Sequence, residues 1–315
     1  MLAPGLLSTV QDAGRKGFLA SGFSPSGAMD LPAARLANLL VGNSMDMATI
    51  EMTLQGMRLR FGCDGVAALT GADFGARRNG TPVPTYRAFA VCAGDELTCG
   101  AAKSGCRGYF AVAGGFDLTP ALGSFSTNLK CGVGGFEGRK LKAGDVLPLR
   151  CPHTPVARQS QRVLPVPPHL DETPRTNIVL RAVPGPQADC FGQAGTETFF
   201  GSWYHVTPAS DRMGIKLEGA KIASHSGSDI ISDGIAAGSV QVPASGKPIV
   251  MMADRQTTGG YAKIATVISA DLPLLAQARP GDAVRFVPVC VEDAQAIARE
   301  AAQALRRLEY QFLTI

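Results

Sequence analysis

Ala93-Gly94-Asp95-Glu96-Leu97 returns in outline as Ala143-Gly144-Asp145-Val146-Leu147 and again as Pro280-Gly281-Asp282-Ala283-Val284. In each, the glycine tolerates a positive φ, the aspartate side chain can accept from nearby backbone amides, and a strand is expected to follow. A chain that turns this way at three places reads as barrel-like β units built from similar corners. Around the corners, Met57-Arg58-Leu59-Arg60-Phe61 alternates with period two. Tyr109 to Ala113, Pro248 to Met252 and Ala283 to Val287 also read as strands. Two segments break the β pattern. Asp30 to Val41 predicts a helix, with Asp30 as cap, Pro32 in the first turn and Gly42 as stop. Val291 to Leu308 is Ala-rich and carries Ile297, Ala301, Leu305 and Leu308 on one stripe, the pattern of a helix packed on a β surface.

Composition agrees with this reading. The chain has 315 residues, 45% apolar and 18% charged, with 37 glycines and 21 prolines. That is a packed globular chain rich in turns, long enough for two domains. The densest proline run, Cys151 to Pro174, carries six prolines and reads as a linker, because proline prevents ladder pairing and stiffens the chain. The expected division is residues 1–150, a linker at 151–174, residues 175–290, and a C-terminal helix and tail at 291–315. The fold class expected is mainly β, with a few short helices.

A net charge of +4 without a basic stripe argues against a nucleic-acid partner. The eight cysteines form no C-x-x-C pair and the four histidines are scattered, so no metal site is expected and the thiols read as free, in a reducing compartment. No stretch reaches the ~18 apolar residues of a membrane span and no leader pattern opens the chain, so a cytoplasmic protein is expected. There is no P-loop, no G-x-S-x-G elbow and no H-E-x-x-H.

Four polar clusters stand out in the Gly-rich framework. They are Thr9 to Arg15, with Gln11, Asp12 and Arg15; Gly123 to Thr127, with Ser124, Ser126 and Thr127; Ser210 to Gly214, with Asp211 and Arg212; and Ala253 to Tyr261, with Asp254, Gln256, Thr257 and Thr258. Two readings compete. In one, these are turns in which Asp, Ser and Thr cap their own backbone. In the other, they line a pocket where glycine lets a ligand approach the backbone and exposed N–H groups bind oxygens. The fourth cluster favours the second reading, because it lies between the apolar runs Ile249 to Met252 and Ile264 to Ile268, at a strand end where polar groups can face a cavity mouth. Asp254 closely follows an apolar run, so its charge needs a partner, and Arg212 is the candidate. The expected site is therefore in the second half, with Asp254 and Arg212 as catalytic groups. Asp211, Gln241, Gln256, Thr257 and Thr258 would bind substrate, and Gln11, Asp12, Arg15, Ser124, Ser126 and Thr127 would add contacts from the first half.

Several of these segments, in order, resemble one family. They are Thr9 to Arg15, Gly27-Ala28-Met29-Asp30, Leu40-Val41-Gly42-Asn43, Gly114-Gly115-Phe116, Gly123 to Thr127 and Ser210 to Gly214. Gln241-Val242-Pro243, Asp254 to Tyr261, Ala270-Asp271-Leu272 and Ala276-Gln277 complete the set. Together they resemble the KipA family, that of the 5-oxoprolinase C subunit, also called allophanate hydrolase subunit 2 or the biotin-dependent carboxyltransferase family. The likeness runs from about residue 4 to residue 287 and is most specific from Ser239 to Phe286. Phe125 and Cys190 stand where the family usually has arginine, and Asp233 where glutamate is common.

The resemblance implies two cyclophilin-like β-barrels and a role as one component of an ATP-dependent 5-oxoprolinase. Such a chain works beside two other chains, a KipI-type subunit and a catalytic subunit. Together they act on a small amide or lactam, with ATP shared among them, and the chain is inactive alone. A second implied reading is a carboxyltransferase module of a urea carboxylase or allophanate hydrolase system. There biotin would have to come from another chain, since this one has no Met-Lys-Met segment. A third is a regulatory protein that captures a KipI-type kinase inhibitor.

Overall fold

The computed structural model of the protein describes residues 1–150, 161–167, 177–225 and 227–313. Most of the expected proline-dense linker therefore lies outside the described residues. The chain divides into two compact units. The first comprises Met1–Lys16, Ser26–Thr173 and Leu305–Ile315, and the second Gly17–Pro25 and Pro174–Ala304.

The strands of the first unit are β1 (Leu7–Gln11), β2 (Thr49–Thr53), β3 (Arg58–Arg60), β4 (Gly65–Asp73), β5 (Arg77–Arg78), β6 (Thr81–Pro82), β7 (Arg87–Val91), β8 (Glu96–Thr98) and β9 (Ser104–Val112). Among the described residues they form a five-stranded sheet, β1-β2-β9-β4-β7, and a four-stranded sheet, β3-β8-β5-β6. Helix α1 (Leu31–Leu40) begins at Asp30, whose carboxylate accepts the Ala33 N–H at 3.0 Å. Its alanines and Leu40 pack on Tyr109 and Ala111 of β9 and Val66 and Ala68 of β4. The alternate residues, Phe110 and Val112 of β9 and Ala67 and Leu69 of β4, enter a second core with Leu59 and Leu97 of the smaller sheet. With both faces covered, β4 is buried along its middle seven residues and reads as a continuous apolar run, without the alternation of a half-exposed strand.

The second unit contains β10 (Ile178–Pro184), α2 (Gly192–Gly201), β11 (Trp203–Val206), β12 (Gly214–Gly219), β13 (Asp229–Gly234), β14 (Ser239–Gln241), β15 (Ile249–Met251), β16 (Thr258–Tyr261), β17 (Lys263–Val267), α3 (Leu272–Ala276) and β18 (Ala283–Pro288). Among the described residues, the order β10-β17-β14-β15-β12-β11-β18 closes into a barrel through a parallel β10–β18 pairing. Leu180, Tyr204, Leu217, Val250 and Phe286 are buried on its strands. Phe199 of α2 stacks on Phe286 with ring centroids 4.5 Å apart. The strands β13 and β16 pair apart from the barrel as a two-stranded ribbon. Helix α4 (Val291–Leu313) closes the described chain. Its end, in the first unit, packs Leu308 and Phe312 against the α1 core.

The Gly-Asp corners share one geometry. Gly94, Gly144 and Gly281 have φ of 91°, 92° and 94°. Each following aspartate accepts the N–H three residues before it: Cys92 to Asp95 at 2.9 Å, Lys142 to Asp145 at 2.7 Å and Arg279 to Asp282 at 2.9 Å. Two of the corners also clamp a strand alike. The Phe61 carbonyl accepts from Gly94 and its N–H donates to the Asp95 carbonyl, while Val206 does the same with Gly281 and Asp282. Strands β8 and β18 follow these two corners. The corner at Gly144 leads into irregular chain, joined to the rest by an isolated bridge between Leu149 and Phe116.

Candidate functional site

The first two polar clusters, more than a hundred residues apart in sequence, meet in the first unit and bond largely to each other, while the buried Gln11 Oε1 has no hydrogen-bond partner among the described residues. Asp12 Oδ1 accepts from the Gly14 N–H at 2.8 Å, from Ser124 Oγ at 2.7 Å and from Ser126 Oγ, and Oδ2 accepts the Phe125 N–H at 2.6 Å. Arg15 donates to the Ser126 carbonyl at 2.7 Å. The buried Gln11 amide donates to Thr9 Oγ1 and to the Thr127 carbonyl, and Thr127 Oγ1 donates to the Val10 carbonyl. Glycine is required beside them, since a Cβ at Gly135 would sit 1.9 Å from Thr127 Oγ1. Phe125 lies under the Arg150 guanidinium at 5.2 Å.

A buried carboxylate of the same unit that sequence reasoning missed is Glu51. It accepts from the Met29 N–H and the Tyr109 hydroxyl, both at 2.8 Å. Burial, with the Glu51 charge alongside, holds the Tyr109 phenol well above its ordinary value, so it remains a neutral donor. The first unit also holds a cavity of about 490 Å³ lined by Ile50, Leu59, Phe61, Phe110, Phe116 and Leu149. None of the expected site residues reaches it.

The third and fourth clusters meet in the second unit. Arg212 and Asp254 form a two-point ion pair, Nε to Oδ2 at 2.9 Å and Nη2 to Oδ1 at 3.1 Å, with side chains 5% and 9% exposed. The Asp254 N–H donates to the Arg212 carbonyl. Asp211 holds its own turn, accepting from the Met213 and Gly214 amides. Ser24, also missed from sequence, donates to the Ala253 carbonyl at 3.1 Å. These residues fix the start of the 254–261 segment.

Beyond them the polar groups are less occupied. Gln241, at the end of β14, donates to the Tyr261 carbonyl at a long 3.4 Å. An added Cβ on Gly259 would lie 2.7 Å from Ile235 Cδ1, 2.9 Å from Gln241 Nε2 and 3.4 Å from Gln256 Nε2, so two side-chain amides converge on a position without a side chain. Gln256 and Thr258 are exposed and Thr257 is half-buried. Opposite Gln241 on β17, the buried Lys263 pairs with Asp233 of the ribbon at 2.7 Å. That hydrogen bond holds the Asp233 carboxyl below the usual carboxylate range. Arg255 is buried and donates from Nε to the Ile235 carbonyl at 2.9 Å and from Nη1 to the Met252 carbonyl at 3.1 Å. It lies within the fourth polar cluster, Ala253 to Tyr261, but is not among the expected site residues.

The family model for the carboxyltransferase domain, subdomain A and B, matches residues 21–288 of this chain. The chain belongs to this carboxyltransferase-domain family. It is 41% identical over 295 residues to the C subunit of 5-oxoprolinase from Escherichia coli (strain K12), covering 93% of this chain and 92% of that protein. It is 39% identical to the same-named protein of Haemophilus influenzae, with the same coverage of both chains. The crystal structure of Kluyveromyces lactis urea carboxylase superposes with a TM-score of 0.88 at 31% identity, covering 98% of this chain and 29% of the larger one. Some segments that carry the family likeness serve the fold and not the site. Asp271, in the Ala270-Asp271-Leu272 segment, is buried against Arg181, accepting from its N–H at 2.7 Å and its Nε at 2.9 Å, and so ties the start of α3 to β10. Among the described residues, no helix is long and apolar enough to cross a membrane.

Proposed function

We propose that this chain is one component of an ATP-dependent 5-oxoprolinase, which opens the lactam of 5-oxoproline to glutamate. It would act in the cytoplasm with a KipI-type subunit and a separate catalytic subunit, and be inactive alone. One observation carries the reading: the correspondence with the C subunit of 5-oxoprolinase extends over nine-tenths of both chains at 41% identity.

The chemistry explains why such a chain would need partners. A lactam C–N bond is stabilised by amide resonance, and its hydrolysis is helped by ATP-driven activation of the carbonyl oxygen. A triphosphate calls for several cations and a carboxylate set for its metal ion. The second-unit site has Arg212 and Lys263 already neutralised by Asp254 and Asp233, so it does not fit that group. We assign the nucleotide to surfaces the partner chains supply.

This chain's own contribution is to hold the lactam. The Gln241 and Gln256 amides converge on Gly259, where they can donate to a ring carbonyl, and the Thr257 and Thr258 hydroxyls lie in the same segment. Asp254 and Arg212, expected to be catalytic, enter the proposal as positioning residues, because each carboxylate oxygen is already bonded to the guanidinium. The test is purification of the chain with its partners and assay on 5-oxoproline. Turnover that requires ATP and all partners is the expected result, and turnover by the isolated chain would contradict it. A second reading, a carboxyltransferase module served by biotin on another chain, is favoured by the superposition on urea carboxylase. Biotin-dependent carboxylation of a urea-type amide, with no 5-oxoproline turnover, would select it.

A further inference from the structure

The period-two run Met57 to Phe61 turns Leu59 and Phe61 inward and leaves Arg58 and Arg60 exposed. Leu59 and Phe61 thereby form one wall of the first unit's cavity of about 490 Å³. Ile50 of β2 and Phe110 and Val112 of β9 line it from the five-stranded sheet, and Phe116 and Leu149 come from the isolated bridge beyond the Gly144 corner. The Phe61 and Phe110 rings are tilted by 50° with centroids 6.2 Å apart. Protein interiors pack as densely as organic crystals and leave few voids larger than a water molecule. A space of this size between two sheets is on the scale of a ligand pocket, and an apolar lining makes it receptive to apolar molecules.

The lining narrows the ligand. Ile50, Phe110, Val112 and Phe116 are between 1% and 5% exposed. A small molecule can reach such a floor, whereas the flat face of another protein cannot. The charged groups at the rim are already engaged. Arg60 donates to Glu96 from Nε at 3.2 Å and from Nη2 at 2.6 Å. Both Asp145 oxygens accept from Arg139, at 2.8 and 2.9 Å. An ion placed among the phenylalanines would therefore be buried without a partner, which is costly. Aromatic rings instead gain from offset or edge-on contact with other rings, and three of the lining side chains are phenylalanines. Entry is open on one side: the wall from Asp145 to Pro148 belongs to no strand, and Val146 there is 79% exposed. Cys63, a half-buried free thiol, also lines the cavity.

We propose that this cavity is a binding site for a small uncharged aromatic molecule. All its lining residues belong to the first unit, and none is among those assigned to the lactam, so the site is independent of the 5-oxoprolinase reading.

Indole is the probe, with indole-3-carboxylate as the same ring carrying a charge. Calorimetric titration of the purified full chain with indole should show one site per chain with a dissociation constant below ~1 mM. The carboxylate should bind at least ~10-fold more weakly, and Leu149→Trp, which fills the cavity, should weaken indole by a similar factor. Saturating indole should also slow alkylation of Cys63 by iodoacetamide, followed by peptide mass mapping, and leave the exposed Cys131 unaffected. Absence of saturable indole binding, equal binding of the carboxylate, or binding indifferent to Leu149→Trp would overturn the proposal. Should Leu149→Trp fail to fold, Val146→Trp at the exposed rim decides on the same criterion. Shielding of Cys63 by partner chains, with no indole bound by the isolated chain, would give the cavity to a partner's side chain and overturn it as well.

Discussion

The polar cluster around Asp12 and the one around Arg255 are built from the same kinds of residue, yet they end in opposite states. Asp12 collects four donors, three on one oxygen, all from within its own unit. Among the described residues Arg255 has no carboxylate partner and donates to the Ile235 and Met252 carbonyls, and the Gln241 and Gln256 amides crowd Gly259. The difference teaches that hydroxyls, amides and charges beside glycine do not by themselves make a site. What distinguishes a structural lock from a binding surface is whether donors and acceptors are spent internally. By that criterion the Asp12 carboxylate is a lock that joins segments far apart in the chain, whereas the buried Gln11 Oε1 beside it has no partner among the described residues and the Gln256 and Thr258 side chains of the second unit are exposed.

The largest effect should come from breaking the lock. Asp12→Ala leaves two buried hydroxyls and two N–H groups without their acceptor, and should cost about 3–5 kcal/mol of stability, measurable by urea unfolding. A loss under about 1 kcal/mol would mean that the Asp12 network is not structural and would dissolve the contrast. Arg212→Ala should cost about 3 kcal/mol, since it strands the nearly buried Asp254 carboxylate, while Arg212→Ala with Asp254→Ala should cost less than the sum of the two single changes. Additive losses would show that the pair does not act as a unit.

Next comes the crowded position at Gly259. Gly259→Ala places a methyl 2.9 Å from Gln241 Nε2 and 2.7 Å from Ile235 Cδ1. It should lower activity of the assembled complex roughly 100-fold, the scale of a 1 Å misplacement, for a stability cost of about 1–3 kcal/mol. Full activity would show that the placing of Gln241 and Ile235 around Gly259 does not matter to the reaction. Gln256→Ala and Thr258→Ala should each reduce activity about 10-fold, with stability within about 1 kcal/mol, because both side chains are exposed. Matched losses of activity and stability would move these residues to the structural side of the comparison.

The smallest expected effect is at the Gly144 corner. There the Arg139 hydrogen bond holds the Asp145 carboxyl below the usual carboxylate range. A lowered folded value stabilises the fold above the ordinary value of about 4, and that contribution is lost as pH falls through the lower folded value. Asp145→Asn should flatten this acid limb by no more than about 1 kcal/mol, seen by comparing unfolding at pH 6 and pH 3. An unchanged limb would show that another carboxylate governs it.

Much of the local structure was legible without coordinates. The corner glycines take the positive φ their sequence implied, and the aspartates beside them bond three residues back, because both properties depend only on neighbouring backbone. Asp30 caps α1 as its position requires. The expected strands at Tyr109, Pro248 and Ala283 coincide with β9, β15 and β18 to within a few residues, since period-two and β-branched runs report a local geometry. The family was legible too, through motifs kept in order along the chain.

Sequence by itself marked four of the strands, the positions of the sharp corners and the polar clusters that compete for a role, although no strand follows the corner at Gly144. Tertiary structure decided which clusters meet: Asp12 with Ser124 and Ser126 across more than a hundred residues, and Arg212 with Asp254 across 42. It decided that the parallel pairing of β10 with β18 closes the barrel, which no local period encodes. It also turned Arg255 inward, to the carbonyls of Met252 and Ile235. The physical reason is the same in each case. Periodicity and turn chemistry are set by a residue's immediate neighbours, whereas the pairing of a buried charge depends on what the rest of the fold brings within about 3 Å of it.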